Sequence, residues 1–331
     1  MKSHTVPERL LKQFAWYDTR TKSLRLWKYA KGVPPYPDAS PKSATRFDGY
    51  FAVPGNVEVE AQVETRLAHE IENPVNEFLA NFSDPAWNLT EAQRQQMTRY
   101  ISLLFHRSLS RRSGAGHIQE IKIRALQKFL ANDSQLATVA AHLSLRAYFK
   151  GSRFPFSIER VADLARTALN DVRRPTSRQA SFVAFIVRAT AMLDEPMFRG
   201  KWKVIRTASD EPFILSDAPV ITWVRLETGA LAYGLGFHTP DVEVLLPISP
   251  LSCLHILPSV ERTRQLVEPK VREINIGQAS FAYRDCFANQ NKQDIDDIVQ
   301  SYGGSVRIGD NAFTIWHRNY DSIMYDILMQ M

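Results

Sequence analysis

The spacing of hydrophobic and polar positions changes twice along the chain. Over Ser23 to Tyr29 (SLRLWKY) apolar and polar side chains alternate, the period of a half-buried strand. The rest of the first 56 residues reads as extended chain and turns. The stretch GVPPYPDASP carries Pro34, Pro35 and Pro37, which cannot donate to a ladder or sit inside a helix, so a loop or polyproline connection is expected there. From Val57 the period lengthens: Val63, Leu67 and Ile71 recur at helical spacing, and Asn73-Pro74 reads as a helix boundary with Asn73 as the cap of the next helix. Leu89 to Ser108, opening on Thr90-Glu91, carries Met97, Ile101, Leu104 and Phe105 on one face. Ile118 to Leu130, Leu136 to Phe149 and Phe182 to Leu193 repeat the amphipathic pattern, punctuated by Phe154-Pro155-Phe156 and Arg174-Pro175.

After Gly200 the runs become short and are separated by Asp, Pro and Gly turns. Lys203 to Arg206, Pro212 to Leu215, Val220 to Val224, Val242 to Leu246 and Ser252 to Leu257 are expected strands. Ile274 to Asn289 and Asp294 to Tyr302 return to helical spacing, and Ser305 to Ile308 with Phe313 to Trp316 are candidates to close the sheet. The order implies an α+β fold: a central helical block, and a mostly antiparallel sheet built from the N-terminal strands and the C-terminal half. One large domain over residues 1–331 is expected, with an N-terminal segment at 1–56, the helical block at 57–195 and a sheet-rich region at 196–331.

Composition supports a packed fold, with 44% hydrophobic and 23% charged residues. No apolar run is long enough to span a bilayer and the first residues lack a signal peptide's apolar stretch, so the expectation is a cytoplasmic protein with no membrane association. Cys253 and Cys286 are too few for a disulfide framework or a thiolate zinc site and read as core residues. The formal charge of +6 permits a nucleic-acid partner without requiring one. Its distribution says more, because the excess of basic residues lies between Arg99 and Arg188.

None of the strong catalytic signatures is present: no phosphate-binding glycine loop with Lys-Ser/Thr, no Cys-x-x-Cys, no His-Glu-x-x-His and no Gly-x-Ser-x-Gly. A set of short segments stands out instead. His4-Thr5-Val6-Pro7 is followed by Leu11 and Phe14, then by Ala39-Ser40-Pro41-Lys42, Leu67 to Pro74 (LAHEIENP) and the Arg107 to Arg112 stretch. Pro212 to Val220 (PFILSDAPV), Leu246 to Pro250 and the helix around Asn275 complete the series. In order and spacing these segments resemble an uncharacterised bacterial family, domain of unknown function 4238. Thr5, Leu109 and Ala218 depart from its usual residues. The resemblance carries no established activity and bears on the fold more than on function.

The candidate site residues follow from residue chemistry. His4 is either a metal ligand or base near neutral pH, or a pin that bonds a backbone carbonyl to fix the terminus. Glu64 and Glu72 lie two turns apart on one face of one expected helix, with His69 and Glu70 on other faces; they hold a divalent ion, share acid-base work or are solvated. Ser216-Asp217 leaves a buried strand ahead of Pro219, a position for a catalytic carboxylate or for a local Asx-turn. Arg107, Arg111 and Arg112 are read as ending a helix before Ser113-Gly114-Ala115-Gly116, where they complement its dipole or grip phosphates. Trp16, Trp27, Trp202 and the pair Tyr148-Phe149 beside Lys150 suit either base stacking or core packing.

The leading expectation places His4, Glu72 and Asp217 together as catalytic residues, with Glu72 and Asp217 holding a divalent magnesium or manganese ion. Arg107, Arg111, Arg112 and Ser216 would then bind substrate. The implied activity is metal-dependent phosphodiester hydrolysis in nucleic acid, in a defence or toxin setting. The alternatives are a non-catalytic module that binds nucleic acid or protein, and hydrolysis of a small phosphorylated ligand with the arginines inside the pocket.

Overall fold

The computed structural model describes residues 2–56, 58–149, 157–173, 175–257 and 268–306. Phe154 to Phe156, Arg174 and the expected strand at Phe313 to Trp316 lie outside the described residues, as do Ile308 and Lys150. The described chain resolves into two compact units: one within Met1–Arg112 and Val183–Arg307, the other within Ser113–Phe182. The expected helical block at 57–195 is thus shared between them.

In chain order the first unit opens with β1 (Lys2–His4), α1 (Glu8–Gln13), β2 (Trp16–Asp18), β3 (Ser23–Ala30), β4 (Val33–Ala39) and β5 (Arg46–Asp48). Next come α2 (Glu58–Leu67), a π-helical turn at Ala68–Glu72, α3 (Asn73–Asn76) and α4 (Glu91–His106). The chain passes between the units within α5 (Leu109–Leu130) and α8 (Pro175–Ala191); α6 (Asp133–Phe149) and α7 (Ile158–Arg173) lie between those two. It continues through α9 (Glu195–Phe198), β6 (Lys201–Arg206), β7 (Leu215–Ser216), β8 (Ile221–Arg225), β9 (Leu231–Tyr233), β10 (Glu243–Ser249) and β11 (Ser252–Leu257). It closes with α10 (Val271–Phe281), β12 (Asp285–Ala288) and α11 (Gln293–Tyr302).

The first unit holds antiparallel sheets. One has strand order β6-β11-β10-β8-β9. A second, in the order β2-β3-β12-β7 with β4 on β3, joins the N-terminal strands to the C-terminal part of the chain, as the alternation in Ser23 to Tyr29 leads one to expect. Tyr29, Ile214, Ala279, Cys286, Ile295 and Ile298 form the core that α10 and α11 lay on this sheet. Both cysteines are free and buried. The second unit has its own core: Leu126 and Phe129 of α5, Leu136 and Ala140 of α6, and Val161, Ala165, Ala168 and Leu169 of α7. The spacing of that last set is the apolar stripe of an amphipathic helix. The architecture is α+β, and among the described residues no helix is long and apolar enough to cross a membrane.

Several local expectations are corrected. The proline-rich stretch is a strand rather than a loop: Val33, Tyr36 and Ala39 pair with Ala30, Lys28 and Leu26, and the register shifts between them let the prolines fall outside the ladder. Asn73 is not an N-cap, because its backbone is helical (φ −60°, ψ −45°) and the helix runs on. The Asn73 N–H instead reaches back five residues to the Ala68 carbonyl, the bond of a π turn. Ser113 to Gly116 lies inside α5, so Arg111 and Arg112 belong to the start of a helix and only Arg107 caps the end of one. The helix expected to Asn289 ends at Phe281, and Asp285–Ala288 is a strand. The run at Pro212 to Leu215 contributes only its last residue to a strand, since Ile214 N–H bonds to the Asn275 side chain. Ser305 and Val306 are not in a strand.

Thr90 caps α4 as its sequence suggests, with Gln93 closing the reciprocal capping box. Gly277 allows α10 to settle on β8: a Cβ there would lie 3.0 Å and 3.2 Å from the fully buried Ile221 side chain, which would have to shift within the core. Gly277→Ala gains roughly 1 kcal/mol of helix propensity and loses about 1–3 kcal/mol to overpacking. The expected result in urea denaturation is a lower midpoint with an unchanged slope.

Candidate functional site: a buried arginine with unpaired neighbours

The segment His4-Thr5-Val6-Pro7 is fixed by Thr45, not by its histidine. Thr5 N–H donates to the Thr45 carbonyl at 3.0 Å, Val6 N–H to Thr45 Oγ1 at 3.3 Å, and Thr45 Oγ1 to the Val6 carbonyl at 2.9 Å. β1 adds its pairing with β5, in which His4 lies opposite Arg46. The imidazole is therefore not consumed in holding the terminus, and its buried Nδ1 has no hydrogen-bond partner.

The carbonyl of Thr5 accepts from Arg107 Nε at 3.1 Å. Arg107 sits at the C-cap of α4, 1% exposed, and its Nη1 donates to Glu72 Oε1 at 2.6 Å. Its own carbonyl accepts from the Tyr50 hydroxyl, also at 2.6 Å. A guanidinium removed from water needs such a set of acceptors, since an uncompensated buried charge costs several kcal/mol. One donor, Nη2, is nevertheless left without a partner.

The π turn brings Glu72 to this point. Eight residues along an uninterrupted α-helix would put position 72 about 80° round from position 64, at about 100° per residue. A π turn absorbs one extra residue, so the offset falls to roughly 20° and the two glutamates share a face. Glu64 interacts electrostatically with both Arg107 and Glu72; burial raises its pKa, and its Oε1 is buried and unpartnered. Tyr100, seven residues before Arg107 on α4, is fully buried and its hydroxyl is unpartnered. Burial pushes its pKa up, with a further upward contribution from Glu72. His4 has its pKa lowered, first by burial and then by the charge of Arg107. Around one guanidinium the protein thus gathers an imidazole whose pKa is lowered, a carboxyl whose pKa burial raises and a phenol that keeps its proton.

Of the residues singled out from sequence, His4, Glu72 and Arg107 meet here. Arg112 lies against the Tyr50 ring, 4.6 Å from its centroid. Arg111 instead covers Phe105 at 3.7 Å, with Nε and Nη2 unpartnered, and burial lowers its pKa to about 9. His69 and Glu70 are exposed, and Glu70 pairs with Arg66.

Asp217 and Ser216 do not join the cluster. Asp217 Oδ1 accepts from Tyr283 N–H at 2.7 Å, and Oδ2 from Arg284 and Asp285 N–H at 2.9 and 3.2 Å. Burial raises its pKa to about 6 against the pull of those amides, with Asp285 adding to the rise. Ser216 Oγ bonds to the Ala218 carbonyl and Gln278 Oε1, while Gln278 also receives Ser216 N–H and donates to the Pro219 carbonyl. Asn275, one turn earlier on α10, takes Ile214 N–H and donates to the Pro212 carbonyl. The PFILSDAPV segment is thus bound along its backbone by two amide side chains and by its own carboxylate. A metal held by Glu72 and Asp217 does not fit these bonds, and among the described residues no group of three or more His, Cys, Asp or Glu is arranged to hold an ion.

Sequence reading passed over Tyr100, although its spacing of seven from Arg107 puts both on one face of α4. It also passed over His106, whose ring packs edge-on against Phe105 and Phe185.

The fold and this cluster define a class: an α+β protein organised round a buried, incompletely paired ion pair. The chain belongs to the family described as protein of unknown function (DUF4238), whose profile matches residues 2–292. No curated protein and no solved structure matches it.

Two stability predictions follow from these bonds. Asp217→Ala strips the Tyr283, Arg284 and Asp285 N–H groups, the last of them buried, of their acceptor and is expected to cost about 1–3 kcal/mol, with Asp217→Asn, which keeps one oxygen, losing less; chemical denaturation measures both. For pH, burial first and the charge of Arg111 second lower the pKa of His106 from 6.5 to about 3. The unfolded chain then binds the proton more readily, so the stability linked to His106 is complete above pH 6.5 and is lost as pH falls toward 3. Asp217, with its pKa raised, contributes the opposite slope between about 3.8 and 6. The difference in unfolding free energy between wild type and His106→Asn isolates the histidine: it is expected to be flat from pH 7 to 8 and to shift in favour of the variant from pH 6 to 4.

Proposed function

We propose that the protein cleaves phosphodiester bonds in RNA by acid-base chemistry at the His4, Glu64, Tyr100 and Arg107 cluster, with Glu72 positioning the arginine. The observation that carries this reading is the set of four buried polar atoms left unpartnered round one guanidinium: His4 Nδ1, Glu64 Oε1, Tyr100 Oη and Arg107 Nη2. Buried polar groups are nearly always satisfied, so a group of orphans points to a missing ligand. The directions of their pKa shifts suit phosphoryl transfer. His4, held neutral, takes the proton of a ribose 2′-hydroxyl as its oxygen attacks phosphorus. Glu64, whose hold on a proton is strengthened by burial, acts in its acid form and gives that proton to the departing 5′-oxygen. Arg107 and Tyr100 donate hydrogen bonds to the non-bridging oxygens as charge builds on them. The products are a 2′,3′-cyclic phosphate and a 5′-hydroxyl. Glu72 already carries a cation, the guanidinium, where a metal-dependent reading would put magnesium or manganese.

Exposed Arg124, Arg160 and Arg173 in the second unit favour a second reading, nucleic-acid binding without cleavage. Labelled RNA and DNA incubated with the protein in chelator distinguish the two. Cleavage of RNA alone, with cyclic-phosphate ends and a loss of about 10²- to 10⁴-fold in His4→Ala and Glu64→Gln, is the expected outcome. Salt-sensitive binding with no cleavage would move the assignment to the second reading, and cleavage unchanged in folded variants would overturn the site.

A further inference from the structure

The outer side of His4 carries positive charge that the cleavage chemistry leaves unused. In the antiparallel pair of β1 and β5, Arg46 stands directly opposite His4. Opposed residues of such a pair project from the same face, with their Cβ atoms about 5 Å apart. The neighbouring pair, Ser3 and Phe47, projects from the other face, and burial follows that alternation: Ser3 is buried and bonds to Glu60, whereas Arg46 is exposed. The bond from Thr5 N–H to the Thr45 carbonyl continues the pairing beyond the strands and holds this register.

Arg46 has no partner of its own. Among the described residues it forms no ion pair with a carboxylate and lies over no aromatic ring. Glu8, whose charge also reaches His4, is held by Lys12 at 2.8 Å, and Lys42 acts on the same carboxyl. Asp48 lies on the same face of β5, two residues along, yet is not bonded to the arginine. Lys12, Lys42 and Arg46 thus stand against two carboxylates, and the surplus is positive. After burial and Arg107, the charge of Arg46 lowers the pKa of His4, so the guanidinium is within electrostatic reach of the imidazole.

In the proposed reaction His4 takes the proton of a ribose 2′-hydroxyl. Inside an RNA chain the nucleotide bearing that hydroxyl has two phosphates, the scissile one on its 3′ side and the one that joins it to the preceding nucleotide. Arg107 serves the first, and an exposed, unpaired cation beside the base is placed for the second. We infer that Arg46 binds the phosphodiester on the 5′ side of the attacking nucleotide, which makes internal linkages of an RNA chain the preferred substrate. The inference rests on the cleavage reading and deepens it.

The test uses a trinucleotide of deoxyadenosine, adenosine and deoxyadenosine, whose one ribose allows cleavage at one bond only. The linkage before the ribose is either a phosphodiester or an uncharged methylphosphonate, and both substrates are assayed in chelator at low salt. In wild type the phosphodiester is expected to lower KM about fivefold, the upper end for an exposed charge pair, and to leave kcat the same. In Arg46→Ala that preference is expected to vanish, in Arg46→Lys to persist in part, and the melting temperature to stay unchanged in both. Comparing the two substrates within each variant cancels the effect of Arg46 on His4 itself. Equal KM for the two substrates in wild type, or a preference undiminished in Arg46→Ala, would overturn this inference and leave the cleavage reading standing. Cleavage of neither substrate would overturn both.

Discussion

The first unit depends on a single guanidinium taken out of water. Arg107 closes α4, and its guanidinium is compensated from two other places, the carbonyl of Thr5 after β1 and the carboxylate of Glu72 in the π turn, while the Tyr50 hydroxyl donates to the arginine's backbone carbonyl. Removing one partner of a buried pair leaves a charge that costs about 3–5 kcal/mol. These four segments therefore hold one another in place, and neither the position of β1 nor the course of the chain at Tyr50 is independent of the helix end. The pair is also incomplete. A protein interior does not ordinarily leave Nη2 of such a group without an acceptor, which is why the cluster reads as a place for a ligand as well as a brace.

The π turn shows how a local irregularity reaches the site. Pro74 has no N–H to donate and its ring crowds the carbonyl four residues back, so an uninterrupted α-helix through Glu70 would be strained there. Widening the turn relieves that conflict and rotates Glu72 toward Glu64. A residue that looks from sequence like a helix stop instead makes the helix carry two carboxylates on one face.

Much of the architecture was legible in spacing alone. Alternation identified β3 and helical periodicity identified α4, α6 and α11, while short apolar runs identified β6, β8, β10 and β11, of which β10 and β11 are buried along nearly their whole length on both faces. What was missed depended on partners distant in sequence. Asp285–Ala288 has no signature that separates it from the end of α10 until β3 and β7 are there to pair with it. The prolines of β4 argued against a strand, yet the pairing falls on Val33, Tyr36 and Ala39, none of them a proline. Within the candidate site, His4, Glu72 and Arg107 were recognisable as chemistry-bearing groups in ordered positions. Asp217 was recognisable too, but its role was not: a carboxylate that accepts three backbone amides and one that awaits a substrate look alike until the loop at Tyr283 to Asp285 is seen to fold onto it.

The pairing of β3 with β12 places the first strands of the chain and nearly the last described ones side by side. A ribosome releases Ser23–Ala30 long before Asp285–Ala288, so for most of synthesis β3 has its edge toward β12 open and its apolar face without α10 or α11 to cover it. Closure of so long a loop is entropically slow. The nascent chain therefore spends the interval as an incomplete sheet exposed to pairing with other chains. The irregular, proline-bearing β4 takes the opposite edge of β3 from close by in sequence, and so acts as an early guard for a strand whose final partner arrives late.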